Sequence, residues 1–280
     1  MVNAGMNAAA TITLAATDDG MPNPPGALTY TIVSLPKHGR LEHLDTALPI
    51  ATVPTTLPQG IAQVVYRPDS DWMGSDRFKY SADDSGTAPL GGRSNTATVK
   101  ITVVQDITLT YQVSAPLDDA HAKKWSTYQK LNENALVVGR NRAGMRFGNV
   151  EIPQGARIVK AKLKICAYTR DLSGQVDAKV YAEAADNVDL FSNSHRLSDI
   201  TLTNASQAWD WTTTWSSDTW YESPDIAHVI QEVVDRPGWS ANNAIVILCL
   251  AGNSTSADRS FWSYDGDPDK AAQLEITYVP

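Results

Sequence analysis

Cysteine is scarce in this chain. Two of the 280 residues are cysteine, Cys166 and Cys249, and each lies in an apolar segment that predicts a β-strand. Free cysteine in such a position commonly behaves as a small buried hydrophobic residue. Spacing in the sequence does not fix the distance between two Cα atoms, so a disulfide between the two residues stays an alternative.

Long apolar runs and basic stripes are also missing. The longest apolar run, Ala244 to Ala251, is far shorter than the roughly 20 residues that span a bilayer. The net charge is −8 and the Lys and Arg residues are scattered, so no surface suited to a phosphate backbone is expected. The first ten residues lack the basic start and apolar middle of a signal peptide, and we expect the chain to be a piece of a longer protein. Membrane spans and nucleic-acid partners are therefore not expected.

Catalytic signatures are absent as well. The five histidines fall in no metal-ligand pattern such as HExxH, and no GxSxG elbow, glycine-rich phosphate loop or CxxC pair occurs. A pair of glycosidase carboxylates has no sequence spacing of its own, and nothing in the chain singles one out. We therefore expect a protein that is not an enzyme.

Short strand-like segments are what the chain does contain. A hydrophobic fraction of 42% and eight tryptophans supply enough apolar material for two folded domains. Between residues 11 and 104, six alternating segments are separated by clusters of Gly, Pro and Asp, which is typical of a β-sandwich. Further strand signals continue from Ile107 onward. The pattern predicts an all-β fold of two tandem sandwiches, with domains at 1–105 and 106–280.

Two motifs in the first domain carry a family resemblance. A Leu-Pro-x-His-Gly turn begins at Leu35, and the pattern Tyr-x-Pro-x-x-x-x-x-Gly-x-Asp-x-Phe runs from Tyr66 to Phe78. Residues 11–104 resemble the bacterial Ig-like and cadherin-like domains of secreted and surface proteins. The resemblance implies a spacer domain with an extracellular or cell-surface location.

Two acidic loops, TDDG and ADDSG, lie in this domain. In a sandwich of this type they belong to the same end, where their carboxylates can converge on a calcium ion, which favours a crowd of oxygen ligands. The residues are Asp18, Asp19, Asp83 and Asp84. The alternative is two solvated turns, since Asp is a favoured turn residue.

A longer motif marks the second domain. The segment MRFGNVEIPQGARIVKAKLKI, Met145 to Ile165, follows a VVGR strand. Residues 107–280 resemble the DNRLRE-type carbohydrate-binding modules, which are β-sandwiches found beside secreted polysaccharide-degrading enzymes. The resemblance implies a jelly-roll-like sandwich that binds polysaccharide without catalysis and carries structural calcium. It also implies covalent linkage to further domains of a larger bacterial protein.

One amphipathic helix is predicted in this domain. Ser223 is a favourable N-cap with Pro224 at the first helical position, and Pro237 and Gly238 end the segment. The apolar residues recur at helical spacing on one face. They are Ile226, Val229, Ile230, Val233 and Val234. Such a helix must pack on an apolar surface of the sandwich.

The tryptophans just upstream divide into two pairs. Trp209 and Trp211 are two residues apart, which puts them on one face of a strand, where they pack against the helix. Trp215 and Trp220 lie in TTTWSSDTWYES, a polar stretch without periodicity that predicts an exposed loop. Exposed aromatic residues on loops are candidates for ligand binding.

A second aromatic loop, AHAKKWSTYQK, places Trp125 and Tyr128 beside Lys123 and Lys124. Flat rings stack on the apolar C–H faces of sugars, and nearby cations bind carboxylate or sulfate groups. Arg170, after the strand LKICAYT, is predicted as a further polar contact. An acidic or sulfated glycan fits this set. The alternative is a solvated loop whose aromatic residues pack locally.

Acidic residues also cluster near the end of the domain. If the first and last strands pair antiparallel, the loop after the first strand comes close to the loop before the last. That arrangement brings Asp118 and Asp119 near Asp265 and Asp267 as a structural calcium site. A polar turn is the alternative.

Together these patterns predict a non-catalytic carbohydrate-binding module preceded by an Ig-like spacer. The parent is expected to be a larger secreted bacterial polysaccharide-active or surface protein. The alternative function is a structural or adhesive surface module without a sugar ligand, in which calcium stiffens both domains.

Overall fold

Strands make up nearly all the regular structure of this protein. The computed structural model describes residues 2–17, 27–87, 91–169, 174–252 and 257–280. The chain divides into two compact units between Asp106 and Ile107. The one α-helix among the described residues has eight residues and is too short to cross a membrane. The all-β fold expected from the sequence, with sandwich domains and one amphipathic helix, is confirmed.

The described residues of the first unit form two sheets. Strands β1 to β8 cover, in order, Val2–Gly5, Ala10–Thr13, Thr29–Ser34, Gly39–His43, Thr55–Thr56, Gln63–Pro68, Gly74–Asp83 and Ala97–Val104. One sheet has the order β1-β8-β7-β3-β5 and the other the order β2-β6-β4. The pairing of β1 with β8 is parallel. Ile32 and Phe78 of the first sheet and Tyr66 of the second lie in one buried core.

The two motifs of the first unit hold each other in place. Asp76 is buried on β7, and its carboxylate accepts hydrogen bonds from the backbone N–H groups of Lys37 and His38, each at 2.9 Å. The Arg77 N–H (2.8 Å) and the Tyr66 hydroxyl (3.1 Å) donate to the same carboxylate. Burial alone would raise the pKa of Asp76, but these donors keep it below its ordinary value. One aspartate therefore fixes the turn after β3 against β7.

In the second unit, the residues that the structure describes form three sheets and the helix. Strands β9 to β20 cover, in order, Ile107–Gln112, Asp119–Lys123, Gln129–Lys130, Ala135–Val138, Asn141–Val150, Arg157–Cys166, Val176–Ala182, Gln207–Trp211, Trp220–Glu222, Asn243–Ala251, Arg259–Trp262 and Gln273–Val279. Helix α1 covers Ala227–Val234, and short 3₁₀ helices cover Pro116–Asp118 and Pro268–Lys270. The sheets have the orders β11-β10-β13-β18-β15-β16, β17-β14-β20-β9 and β12-β19. Strand β9 pairs antiparallel with β20, as expected for the first and last strands of this unit.

Strand β18 accounts for the longest apolar run in the sequence. Both of its faces are buried, because the six-stranded sheet is covered on two sides. Ile247 on one face belongs to the main core, which also contains the helix. Val246 on the other face belongs to a smaller cluster with Phe191, Leu197 and Ala122. The segment between β15 and β16 therefore covers the outer face of the sheet and extends to β10.

The helix begins later than the sequence predicts. Ser223 is not its N-cap, because its N–H donates to the Leu163 carbonyl (2.8 Å) and its buried hydroxyl accepts from the Leu163 N–H (3.0 Å). The chain continues alongside β14 to Ile226, whose N–H donates to the Ala161 carbonyl. The first helical residue is Ala227. The apolar stripe itself is buried, as predicted.

The two cysteines lie in different sheets. Cys166 ends β14 and Cys249 lies in β18, and both are buried and free. Burial raises the pKa of the Cys249 thiol to about 12, so this thiol stays protonated at neutral pH. The two residues therefore form no disulfide.

Candidate functional site

A short hairpin carries the two most exposed aromatic side chains. Strands β10 and β11 pair antiparallel, with Ala122 opposite Gln129, and residues 124–128 form the loop between them. Trp125 is 89% exposed and Tyr128 is 74% exposed, more than any other large hydrophobic side chain in the described ranges. Exposed apolar patches rimmed by polar residues mark interaction sites in soluble proteins. Both aromatic residues that the sequence predicts for this loop are thus presented to solvent together.

Residues of this hairpin loop line several clefts. Trp125, Lys124 and Gly252 line two of them, with volumes of 640 and 370 Å³. Tyr128 lines a third and larger cleft of 860 Å³. Ser126 lines both the first and the third, so the clefts adjoin. The result is an open surface along which an extended ligand can lie.

The largest of these clefts is also lined by a tyrosine that sequence reasoning misses. Tyr168 lies just beyond β14, half-buried, and its ring packs edge-on against Trp262 with 4.6 Å between centroids. The hydroxyls of Thr169 and Ser260 beside it share a hydrogen bond of 2.8 Å. The sequence signal here is the tetrapeptide AYTR, from which Arg170 is the predicted contact. Arg170 lies outside the described residues.

Five basic residues are among those that line the clefts. They are Lys123, Lys124, Lys130, Arg140 and Arg142. Among the described residues, Glu133 pairs with Lys130 (2.9 Å) and Asp258 pairs with Arg140 (2.6 Å). The Lys124 ammonium also lies 5.9 Å from the centroid of the Trp125 ring, within cation–π range. This surface is therefore locally basic in a chain whose net charge is −8.

His121 lies at the largest cleft beneath these cations. Its side chain is buried, and Nδ1 has no hydrogen-bond partner among the residues that the structure describes. Burial is the main cause that lowers the pKa of this imidazole, and the Lys130 charge lowers it further. His121 is therefore neutral at pH 7, and the charge of the cleft comes from its lysines and arginines.

One buried glutamine fastens the hairpin to the segment that covers the sheet. The Gln129 Nε2 group donates to the carbonyl oxygens of Ser192 (3.0 Å) and His195 (3.1 Å). Its Oε1 atom accepts from the Leu197 N–H (3.0 Å). The His195 ring is held in turn by Glu183, with 2.9 Å between Nε2 and Oε2. The aromatic loop therefore extends from a fixed base.

Replacement of Gln129 by methionine, which is similar in size, is expected to loosen the hairpin. It removes three hydrogen bonds and leaves the buried Leu197 N–H unpaired, at a cost of about 2–3 kcal/mol, whereas the Ser192 and His195 carbonyls keep their bonds to each other's N–H groups. The amides of residues 124–130 are then expected to exchange with solvent at least about tenfold faster, as measured by hydrogen-exchange mass spectrometry. Gln207→Met, at a partly exposed site in β16, is the matched control. Equal exchange in the two variants would show that Gln129 does not hold the loop.

The tryptophans before the helix divide differently from the prediction. Trp209 and Trp211 are buried on one face of β16, as their spacing predicts. Trp215 is also buried, and its ring stacks on Tyr221 with 4.6 Å between centroids. The prediction of an exposed, ligand-binding Trp215 is wrong, because the polar loop folds this indole back onto the core. Trp220 begins β17 and is 40% exposed, but it lines none of the three clefts at the hairpin.

The acidic residues predicted as a calcium site in the second unit meet only in part. Asp118 forms an ion pair with Arg146 (2.7 Å). Asp119 is buried; its Oδ2 accepts the Tyr264 N–H (2.8 Å), and its Oδ1 has no partner within the described ranges. Burial is the main cause that raises the pKa of Asp119 to about 7, and the charges of Asp265 and Asp118 raise it further. Asp119 therefore lies close to two other carboxylates.

Asp267, the fourth predicted ligand, is engaged elsewhere. It caps a 3₁₀ helix by accepting the Asp269 N–H (3.2 Å), and it pairs with Lys270 (3.2 Å). Two of the four carboxylates thus have cationic partners. Within the part of the chain that the structure describes, no three acidic, His or Cys side chains are grouped as metal ligands. These four side chains do not fit a single calcium site as arranged, and calcium binding by this unit stays a prediction.

The acidic loop of the first unit closes its own turn. Asp84 Oδ1 accepts the N–H groups of Gly92 (2.6 Å) and Gly86 (2.9 Å), which keep the pKa of Asp84 below its ordinary value. Asp83 likewise accepts the N–H of the residue two positions on (2.8 Å). Their predicted partners in calcium binding lie outside the described residues: Asp18 and Asp19. Calcium at this loop stays a prediction as well.

Comparison with known proteins identifies no family for this chain. No protein-family model and no curated protein matches it. Among solved structures, carbohydrate-binding modules of the β-sandwich superfamily share 9% identity over 88% of this chain and 85% of theirs, with a TM-score of 0.21. A protein of the Bacteroides ovatus mixed-linkage glucan utilization locus, in complex with a mixed-linkage heptasaccharide, shares 11% identity over 99% of this chain, with a TM-score of 0.21; the match spans 51% of that protein. The VP2 protein of infectious bursal disease virus shares 13% identity over 90% of this chain and 58% of its own, with a TM-score of 0.22. Values of this size define neither a family nor a ligand.

Proposed function

We propose that the second unit is a non-catalytic carbohydrate-binding module and that the first unit is an Ig-like spacer beside it. The hairpin loop 124–128 carries this proposal, because it presents two exposed aromatic rings beside adjoining clefts. The chain would belong to a larger secreted bacterial polysaccharide-active or surface protein and act outside the cell.

Sugar stacking suits the two rings. Pyranose faces present C–H groups, and flat indole and phenol rings cover them at a small cost in conformational entropy. Trp125 and Tyr128 line different clefts, so one extended chain can contact both rings. Tyr168, which also lines the larger cleft, offers a third ring. The open form of the clefts favours a polysaccharide chain over a small enclosed ligand.

The cations around the rings favour an acidic or sulfated polysaccharide. The Arg140 side chain is 87% exposed, although Asp258 already occupies part of its guanidinium group. Guanidinium groups bind carboxylate and sulfate oxygens in a forked geometry, and an ammonium group such as that of Lys123 adds a compact positive charge. Aromatic stacking and anion binding are thus available on the same loop.

The double variant Trp125→Ala/Tyr128→Ala is expected to lose binding to polysaccharide. Loss of two stacking contacts at about 1–2 kcal/mol each weakens binding about 100-fold. Affinity gel electrophoresis on plant, algal and animal polysaccharides measures this, and the wild-type chain is expected to be retarded most by carboxylated or sulfated ones. Trp220→Ala, which removes an exposed indole away from the clefts, is the control and keeps wild-type retardation.

Two other results would count against this function. If no polysaccharide retards the wild-type chain, carbohydrate binding is refuted and the structural or adhesive alternative takes its place. If neutral and acidic polysaccharides retard it equally, only the acidic specificity is refuted.

A further inference from the structure

A pair of arginines in the first unit shows how the fold accommodates cations that face each other across strands. Arg40 of β4 lies directly opposite Arg67 of β6. Like charges in this arrangement repel each other. Glu42 relieves the repulsion, because its buried carboxylate accepts from both guanidinium groups, at 2.9 Å from Arg40 and 2.7 Å from Arg67. The protein itself thus supplies the anion that this arginine pair needs.

A second cationic pair in the same unit has no such carboxylate. Arg77 of β7 lies directly opposite Lys100 of β8, and both side chains are on the exposed face of the sheet. Lys37 joins them, because its N–H and that of Arg77 donate to the same oxygen, Asp76 Oδ1. None of the three cations forms an ion pair with a residue in the described ranges. Asp76 itself is buried, and its carboxylate is already used by backbone and tyrosine donors.

These three cations line one groove of 410 Å³. Ser75 and Thr102 line it as well and lie directly opposite each other, next to the Arg77–Lys100 pair. Hydroxyl, ammonium and guanidinium groups are the donors that bind carboxylate and sulfate oxygens. Asp76 also lines the groove, but its carboxylate is bound by three backbone N–H groups and a tyrosine hydroxyl, and it forms no ion pair with the Arg77 or Lys100 side chain.

We infer that this groove binds a carboxylate or sulfate group of an acidic polysaccharide. The external anion takes the place between Arg77 and Lys100 that Glu42 holds between Arg40 and Arg67. A sugar is the carrier that fits, because Ser75 and Thr102 can exchange hydrogen bonds with sugar hydroxyls beside the anion. The first unit then binds ligand itself as well as acting as a spacer, and this binding does not depend on the hairpin of the second unit.

The test uses the full chain with Trp125→Ala/Tyr128→Ala, so that the hairpin loop does not contribute. Calorimetric titration with chondroitin sulfate and polygalacturonate is expected to show remaining binding, and titration with neutral dextran none. Adding Arg77→Glu is expected to weaken that binding at least about tenfold. Lys79→Glu is the matched control, because it makes the same change of charge on the same strand but lies outside the groove; it is expected to weaken binding less than about threefold.

Arg77→Glu also has an expected effect without ligand. A carboxylate opposite Lys100 turns a repulsive pair into an attractive one, so the melting temperature is expected to rise by about 1–4 °C while affinity falls. If Arg77 had a purely structural role, Arg77→Glu would not raise the melting temperature while lowering the affinity for polysaccharide. An unchanged or lower melting temperature would overturn the claim that the Arg77–Lys100 pair lacks an anion.

Three binding results would overturn the inference. They are no binding of either polysaccharide in the Trp125→Ala/Tyr128→Ala chain, equal losses in Arg77→Glu and Lys79→Glu, and binding of inorganic sulfate as tight as that of the polysaccharides. The last result would leave a site for free anions only. Failure of the hairpin site looks different, because the wild-type chain and the Trp125→Ala/Tyr128→Ala chain would then bind alike.

Discussion

Trp215→Ala is expected to lower the free energy of unfolding of the second unit by about 3–5 kcal/mol. The indole is 1% exposed, and its removal leaves a cavity in the main core. Its ring lies 4.7 Å from that of Trp211 and 4.6 Å from that of Tyr221, measured between centroids, so two aromatic contacts are lost together. A loss of this size is a large part of the stability of an ordinary domain.

Urea unfolding followed by circular dichroism measures this loss. Trp220→Ala removes the same side chain from a site that is 40% exposed, and it is expected to cost less than about 1.5 kcal/mol. Neither variant should change polysaccharide affinity in the folded state, because neither tryptophan lines the hairpin clefts. Equal losses in the two variants would contradict a buried Trp215. Reduced affinity in folded Trp215→Ala would restore its predicted role as a ligand contact.

Local sequence patterns predict the burial of some of these tryptophans but not of all. Trp209 and Trp211 can be placed from their spacing, because alternate residues of a strand share a face. Trp215 has only Thr and Ser as near neighbours and no periodicity, which predicts exposure. Its burial comes from ring contacts with Trp211 on β16 and Tyr221 on β17, which form because the irregular segment between the two strands returns to the core. Such tertiary contacts leave no trace in local composition.

In the candidate site as well, local sequence patterns predict some positions and tertiary contacts set the others. Trp125 and Tyr128 among polar and basic neighbours are predicted to be exposed, and the hairpin presents both to solvent. The anchoring role of Gln129 cannot be predicted in this way, because its partners lie 63 to 68 residues away along the chain. Tyr168 reaches the cleft from another sheet. Strand positions follow from alternation, whereas the base of the site depends on how the segment between β15 and β16 crosses the sheet.

The late start of the helix has a similar cause. Ser223 and Pro224 form a favourable local N-terminus, but strand β14 competes for the same backbone. Hydrogen bonds from Ser223 and Ile226 to β14 delay the start of the helix by three residues. Tertiary pairing therefore overrides the capping preference, while the apolar stripe, which depends on spacing alone, is placed correctly.

Asp119→Asn is expected to remove a pH dependence of stability from the second unit. Burial raises the pKa of Asp119 from an ordinary 3.8 to about 7. Between these pH values the folded protein holds a proton that the unfolded chain has lost, so the free energy of unfolding falls as pH rises. The contribution of this proton to the free energy of unfolding is complete below about pH 4 and is lost by about pH 7. Three pKa units at about 1.4 kcal/mol each set its upper size at about 4 kcal/mol.

The measurement compares the wild-type chain and Asp119→Asn by urea unfolding from pH 4 to pH 8 in buffer with EDTA. Asparagine keeps an oxygen for the Tyr264 N–H and has no carboxyl group to titrate. The variant is expected to gain stability relative to the wild type by up to about 4 kcal/mol across this range. If the substitution also leaves the new amide group unpaired, that loss of stability is the same at every pH. It therefore does not alter how the difference between variant and wild type changes with pH. Asp269→Asn, at an exposed position, is the control and should follow the wild type.

Repeating the series with calcium in place of EDTA also tests the calcium prediction. If Asp119 ligates calcium, the ion holds its carboxylate ionised, and the wild type becomes the more stable chain at pH 8. If the two buffers give the same free energies, this carboxylate binds no calcium and its burial remains a cost at neutral pH. Suppose instead that in EDTA the free energies of unfolding of wild type and variant differ by the same amount at every pH. That result would show that Asp119 ionises normally in the folded protein.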